Sequence, residues 1–500
     1  MAEMVVPARL SFGRFAVLFV VLLAVAAVPL FLTELPPLLD YPNHLSRMYL
    51  LPSLPADDLR QFYTVAWAPL ANLGMDGVVP FLAKIMPLEW AGKVFLLMIF
   101  AFTAGGTAAI HRVLYGRWSL WTCLGFLLLY TRLLLWGFVA FLFGCGLALM
   151  AFALWIAMRD RHWALRIVVG GICALLIYLS HLLAFGIYAV MIAGYEFGQV
   201  WLQRKKVSTA IGDLAVGGLP FLPALALMMM NSSTGRIIFA NPLRKFDLLF
   251  SVFDNYSRPF DVTCFVLVVL AVGYAYARRW VKLSPAMIGP MIALLLIYIA
   301  MPTQLFTAAG VDRRIPMMIF LALIGGSSWQ APFARFETRF MAAMALMLLV
   351  RMAFIGVIWH QAGTLYAGLL RGMDSLPRSS CVAVASGKDG IQVARAPLTH
   401  FPTVAIARRD AFVTTVFAYP TQQPIALMPK AKRLTDLLGP DELWYAYVDD
   451  ATPLSAEAKS ALVECGYVAF AGTKAFTLKN QTGLEPFFVT PRLQIYHVAR

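Results

Sequence analysis

Charge is what this sequence has little of: Asp, Glu, Lys and Arg together make up 13% of its 500 residues, against 60% hydrophobic. Soluble domains carry roughly one-quarter charged residues, so a water-soluble fold is excluded for most of the chain. Cysteine is scarce as well, at six, and none has the spacing of a zinc or haem site. Cys123, Cys145, Cys173 and Cys264 lie in apolar runs and read as small buried hydrophobes. Walker and dinucleotide motifs, internal repeats and low-complexity tracts are missing. The net charge of +15 raises nucleic acid as a partner. The Lys and Arg, however, stand in short clusters between apolar runs, which is the pattern of membrane topology, and no nucleic acid partner is expected.

What is present is a series of long apolar runs. A bilayer core needs about 20 apolar residues per helix. Candidate spans lie near 12–32, 90–110, 118–133, 134–158, 166–180, 182–203, 210–230, 261–279, 284–302, 315–333 and 340–359. The first is longer than a signal-peptide core of about 7 to 15 residues and reads as an uncleaved span. The runs 118–133 and 166–180 are short and predict broken helices lining a cavity. With eleven spans, the clusters Arg9/Arg14, Arg112/Arg117, Arg159/Arg161/Arg166, Arg204/Lys205/Lys206, Arg278/Arg279/Lys282 and Arg335/Arg339 share one side. The positive-inside rule makes that side cytoplasmic.

The fold class expected is therefore mainly α transmembrane: a bundle over 1–360 with outer loops 33–89, 231–260 and 303–314, then an outer α/β domain over 361–500. In the tail, CVAVA, TVAIA, AFVTTVF and LWYAYV read as strands and SAEAKSALVECG as a helix. Cys381 and Cys465 are available for a disulfide if that domain is extracytoplasmic. In the first loop, GVVPFLAKIM reads as an interfacial helix.

The densest polar stretch is Asp40-Tyr41-Pro42-Asn43-His44-Leu45-Ser46-Arg47. If a helix starts after Pro42, His44 and Arg47 share a face. The functional reading takes Asp40 as a general base, with His44 as partner or alternative, and Arg47 as a phosphate ligand. The plain reading has Asp40 and Asn43 capping the helix and Arg47 reaching to lipid headgroups. Arg313 and Arg314 sit on the outer side against the positive-inside trend, and paired guanidiniums fit a phosphate. The plain alternative pairs them with Asp312. Loop 231–260 offers Arg236, Arg244, Lys245 and Arg258 among Phe239, Phe246, Phe250, Phe253 and Tyr256, which suits a lipid phosphate or an interfacial aromatic belt. His181 is either structural or a cavity ligand. Asp57 and Asp58 look like a helix start, and Asp76 and Glu89 carry less signal. No cofactor is identified; a divalent metal is compatible with the acidic residues, but no ligand motif indicates one.

In the order of its parts and in the acidic residue of its first outer loop, the chain resembles the GT-C superfamily, polytopic glycosyltransferases that take a sugar from a polyprenyl-phosphate carrier. The DYPNH stretch is more closely similar to that of uncharacterised bacterial membrane proteins with the same loop. The resemblance implies a GT-C-like bundle in the bacterial inner membrane with a periplasmic C-terminal domain. It implies Asp40 as the catalytic carboxylate, and as partners a polyprenyl-phosphate-linked sugar, an envelope acceptor (lipid, polysaccharide or protein) and membrane lipids. The alternatives are a transporter or flippase for a lipid-linked or anionic substrate, and a non-catalytic envelope assembly protein.

Overall fold

In the computed structural model the described residues are 10–51, 57–230, 235–306, 308–330, 334–387, 394–449 and 452–499. Arg9 lies outside them, as does the Arg335 side chain. Eight helices among them are long and apolar enough to cross a membrane: Phe12–Phe31, Leu88–Tyr115, Val139–Ala157, Trp163–Ser180, Leu182–Leu202, Val207–Met230, Arg258–Ala277 and Phe336–Asp374. The protein is an integral membrane protein. The other three expected spans are shorter helical pieces. A 3-10 helix covers Leu120–Leu128, and α-helices cover Ile288–Ala300 and Ile315–Gly325. The run near 118–133 is thus broken, as its length suggested. That near 166–180 is not, because His162 caps an 18-residue helix from Trp163.

The last helix, Ala334–Asp374, has 41 residues. At 1.5 Å per residue it is about 60 Å long, twice the roughly 30 Å hydrocarbon thickness. It passes through the boundary expected near 360 and carries the tail away from the bundle. Beyond it, five strands run in the order Leu484–Val489, Leu493–Val498, Gly466–Ala471, Cys381–Ser386, Phe412–Val413. The central pair is parallel, with Gly466 opposite Cys381, and the Cys381–Cys465 disulfide closes that end of it. The helix expected at SAEAKSALVECG forms as Ala456–Cys465, its first turn capped by Ser455 Oγ accepting from Ala458 N at 3.1 Å.

Two expected strands are helices instead. TVAIA falls largely in Val404–Arg409. LWYAYV continues a helix begun at Pro440 and ends in a π-turn over Tyr445–Asp449. Short apolar runs do not distinguish strand from buried helix by periodicity. The start signals were in the flanks: Pro402 opens the first, and Pro440 with Asp441 and Glu442 opens the second, proline and acidic residues both suiting a helical first turn. AFVTTVF pairs only over Phe412–Val413. GVVPFLAKIM forms one short helix, Val79–Leu82, between turns, with Phe81 and Ile85 exposed.

The first loop and the tail are joined. Tyr63–Val65 pairs antiparallel with Ile425–Leu427, and Phe62 stacks on Phe412 at 4.6 Å. The helix Tyr41–Leu50 is buried along nearly its whole length. Its stripe Asn43, Ser46 and Tyr49 bonds the tail: Asn43 Nδ2 donates to Thr415 O at 2.7 Å, Ser46 Oγ to Thr403 O at 2.7 Å and Tyr49 OH to Asp410 Oδ1 at 2.6 Å. Arg47 turns away from the tail to Asp76, and His44 lies between Arg47 and Phe417 of the tail, ring centroids 5.7 Å apart. A spacing of three gives the tail-bonding stripe its own helix face.

Candidate active site

Asp40 occupies the cap position of Tyr41–Leu50, yet its carboxylate caps nothing, which removes the plain reading of that residue. Its backbone is held by the turn after Arg132–Trp136: Leu39 N donates to Leu135 O at 2.8 Å and Asp40 N to Trp136 O at 3.2 Å. The next residue, Gly137, has φ +88°, and a Cβ there would come within 2.9 Å of Asp40 Cβ and N. Only glycine allows both the left-handed backbone and that approach. The carboxylate is 18% exposed and lies 3.5 Å from His400 Nε2. Burial pushes its pKa up to about 7, with the Arg314 charge partly opposing the rise.

His44 and Arg47 act behind this turn. Arg47 Nε and Nη2 donate to the two oxygens of Asp76, each at 2.8 Å, and both side chains are essentially unexposed. Arg47 Nη1 contacts His44 Nδ1 at 3.2 Å. A guanidinium can only donate, so Nδ1 accepts and the ring proton sits on Nε2; His44 also hydrogen-bonds the Gly137 backbone. Burial, then the charge of Arg47, holds His44 well below the ordinary histidine pKa and hence neutral. The expectation that Arg47 binds phosphate or reaches lipid headgroups is corrected: its donors are spent on Asp76 and His44. The two residues form a buttress, Asp76–Arg47–His44–Gly137, that fixes where Asp40 stands.

Arg313 and Arg314 converge on the same turn. Arg314 lies over Phe138, its carbon centre 4.2 Å from the ring centroid, and Arg313 lies over Trp136 at 5.5 Å. Arg314 Nη1 stands 3.3 Å from His181 Nε2, and Nη2 donates to Ala309 O at 3.1 Å. His181 Nδ1 accepts from Leu183 N at 3.1 Å, so this histidine caps the helix and its ring packs beside Arg314. The plain pairing of Asp312 with either arginine does not occur among the described residues; Asp312 accepts from Thr303 Oγ1 at 3.0 Å. Gly310, at φ +64°, turns the chain so that its Cα side lies against Trp136. Arg132 and Arg244 add positive charge around Arg313, although Arg132 is paired with Asp254.

The other candidates of loop 231–260 are dispersed. Lys245 Nζ donates to Tyr298 O and Met301 O at 2.6 and 2.7 Å, which occupies it structurally. Arg258 pairs with Asp247 on the surface. Arg236 stands in the exposed strand Arg236–Ile238, bonded to Gln304–Phe306. Asp58 is exposed, and the side chain of Asp57 lies outside the described residues. No group of three His, Cys, Asp or Glu side chains gathers as metal ligands among the described residues.

Sequence reasoning missed three contributors. His400 lies 360 positions from Asp40 and carries no local motif. Asp76 was noticed but unassigned, since nothing in sequence paired it with Arg47. Gly137 had one available signal, an isolated glycine between Trp136 and Phe138 at the end of an apolar run.

No family model matches the chain, and a search of curated proteins finds no match. Among solved structures it is similar to ArnT from Cupriavidus metallidurans bound to undecaprenyl phosphate, at TM-score 0.53 and 11% identity over 97% of this chain and 98% of that one. The apo state of the same protein gives TM-score 0.52 and 10% identity over the same shares. At this identity the likeness concerns architecture alone. The chain thus has the fold of that structure, a membrane bundle with a sheet-containing C-terminal domain.

Proposed function

We propose that this protein is an inner-membrane glycosyltransferase that moves a sugar from a polyprenyl-phosphate donor to an envelope acceptor on the periplasmic face, with Asp40 as general base. The observation that carries the reading is the pairing, around one turn, of a carboxyl tuned to about pH 7 with two arginines. A base is most effective with a pKa near working pH, and positive charge is needed where the leaving phosphate develops its own. The full-length likeness to a structure that binds undecaprenyl phosphate supports the donor class.

In this mechanism the acceptor hydroxyl gives its proton to the Asp40 carboxylate as its oxygen bonds the anomeric carbon. The bond from that carbon to the phosphate oxygen breaks, and the carrier leaves as polyprenyl phosphate. Arg313 receives it with an open fork, for it has neither a hydrogen bond nor an ion pair among the described residues. Arg314, held by its bond to Ala309 O, supplies charge from closer to Asp40. Arg244 extends the positive surface toward the loop where the carrier would enter. The Cys381–Cys465 disulfide supports a periplasmic tail, because such bonds persist in oxidising compartments.

The test is to incubate purified protein in lipid nanodiscs with polyprenyl-phosphate-linked sugars and an envelope-lipid extract, and to follow free polyprenyl phosphate by mass spectrometry. Its release together with a glycosylated acceptor is expected. Movement of the intact lipid-linked sugar across a bilayer with no cleavage would overturn the reading in favour of a flippase.

A further inference from the structure

We propose that His400, delivered by the C-terminal domain, is a positioning residue that completes the base: neutral, it donates its Nε2 proton to one oxygen of Asp40 and leaves the other to meet the acceptor. The inference deepens the transferase reading and rests on it for its catalytic meaning, but its geometry stands on separate contacts.

Two backbone groups fix the side-chain amide of Asn43. Phe417 N donates to Asn43 Oδ1 at 2.7 Å, and Asn43 Nδ2 donates to Thr415 O at 2.7 Å. Both partners have fixed polarity, so the orientation of the buried amide is determined. Its Nδ2 also stands 3.5 Å from His400 Nδ1. A donor at that position makes Nδ1 the unprotonated nitrogen and puts the ring proton on Nε2, the atom 3.5 Å from Asp40 Oδ1. The ring is held at its place edge-on against Phe417, centroids 4.9 Å apart. Burial lowers the His400 pKa to about 4, so at neutral pH it is a neutral donor and not a competing cation.

Contacts of 3.5 Å are long, as catalytic hydrogen bonds often are before substrate binds. The segment 415–417, whose Phe417 ring lies against His400, is fastened to Asn43, three residues from Asp40. Thus bundle and tail each supply half of the base. This accounts for a polar residue, Asn43, buried with no exposure in the DYPNH stretch: it reads the docked tail and sets the tautomer.

Asp40 faces charged or titratable groups from three directions. Arg314 comes from the turn before Ile315, His400 from the tail, and His44 with Arg47 behind it from the helix Tyr41–Leu50. His44 is neutral as well but bonds the Gly137 backbone, which leaves His400 as the neutral donor to the carboxylate. The experiment is a pH titration of the Asp40 carboxyl C=O band by infrared spectroscopy on the full-length protein in nanodiscs, with no ligand added and the band assigned by its loss in Asp40→Asn. A donor to the charged form favours that form. The titration midpoint is therefore expected to rise by about one unit or more in His400→Phe and to return most of the way in His400→Gln, whose amide can still donate. It is expected to rise partway in Asn43→Leu. If His400→Phe does not fold, the Gln and Leu variants decide. A midpoint unmoved in folded His400→Phe, or equally displaced in His400→Gln and His400→Phe, overturns the proposal. The transferase reading fails separately: a midpoint that shifts as expected in a protein that transfers no sugar leaves His400 positioned and the function wrong.

Discussion

Replacing Arg47 by Met would leave the Asp76 carboxylate buried, with both oxygens stripped of the 2.8 Å donors that now satisfy them. Breaking a buried pair from one side costs roughly 3–5 kcal/mol, because the remaining charge has no compensation. The surroundings favour the upper part of that range: the two side chains are 1% and 0% exposed, and the third guanidinium contact, to His44, is lost with them. Asp76→Leu should cost a similar amount by orphaning Arg47. The double variant Arg47→Met/Asp76→Leu should be less destabilised than the sum, with a coupling of about 2–3 kcal/mol, since contacting residues in one network are not additive. Unfolding in mixed micelles, read by tryptophan fluorescence, gives the three differences. Transfer should fall in all three variants, because His44 loses the contact that fixes its tautomer under Gly137. The buttress is refuted if Arg47→Met is as stable as the parent while its transfer alone collapses; that pattern would restore Arg47 as a phosphate ligand.

Other consequences can be measured directly. Because Asp40 is raised to about 7, it is protonated and inactive as a base below that pH and ionised above it, so kcat should rise with pH to a plateau above about 7. Arg314→Met removes the charge that opposes the rise and should move this midpoint upward; an unchanged midpoint would contradict the assignment. Gly137→Ala should cost about 1–2 kcal/mol in backbone strain and far more in activity, since the new Cβ presses on Asp40; an unaffected rate would show that the turn does not position the base. Cys381 and Cys465, separated by 84 residues, should resist maleimide until reduced. Replacing both by Ser should cost up to about 4–5 kcal/mol by loop entropy, read as a lower tail unfolding temperature, and labelling without reduction would contradict an oxidising compartment.

The bundle was legible because hydropathy is a local property. Twenty apolar residues announce themselves, and each of the eleven runs became a helix or a helical piece. Asp40 stands out as a candidate for a related reason: it opens the densest polar stretch, just outside a span. What stayed hidden depends on tertiary contact. Arg47 looked like a free cation because Asp76, 29 residues on, gave no sign of reaching it. His400 carries no local motif that marks it. The helices at TVAIA and LWYAYV show the same limit in small, since their form is settled by flanking prolines and by packing, the first against the helix Tyr41–Leu50 and the second against the strand Cys381–Ser386. Asn43 belonged to a motif whose meaning lay in a domain it could not name.

The claim that Asp40 is the base of a sugar transfer is tested most directly by Asp40→Asn. In nanodiscs, with expression, disulfide formation and unfolding profile matched to the parent, release of polyprenyl phosphate from a polyprenyl-phosphate-linked sugar should fall by about 10²–10⁴-fold. Release at the parental rate from a folded Asp40→Asn protein would contradict it.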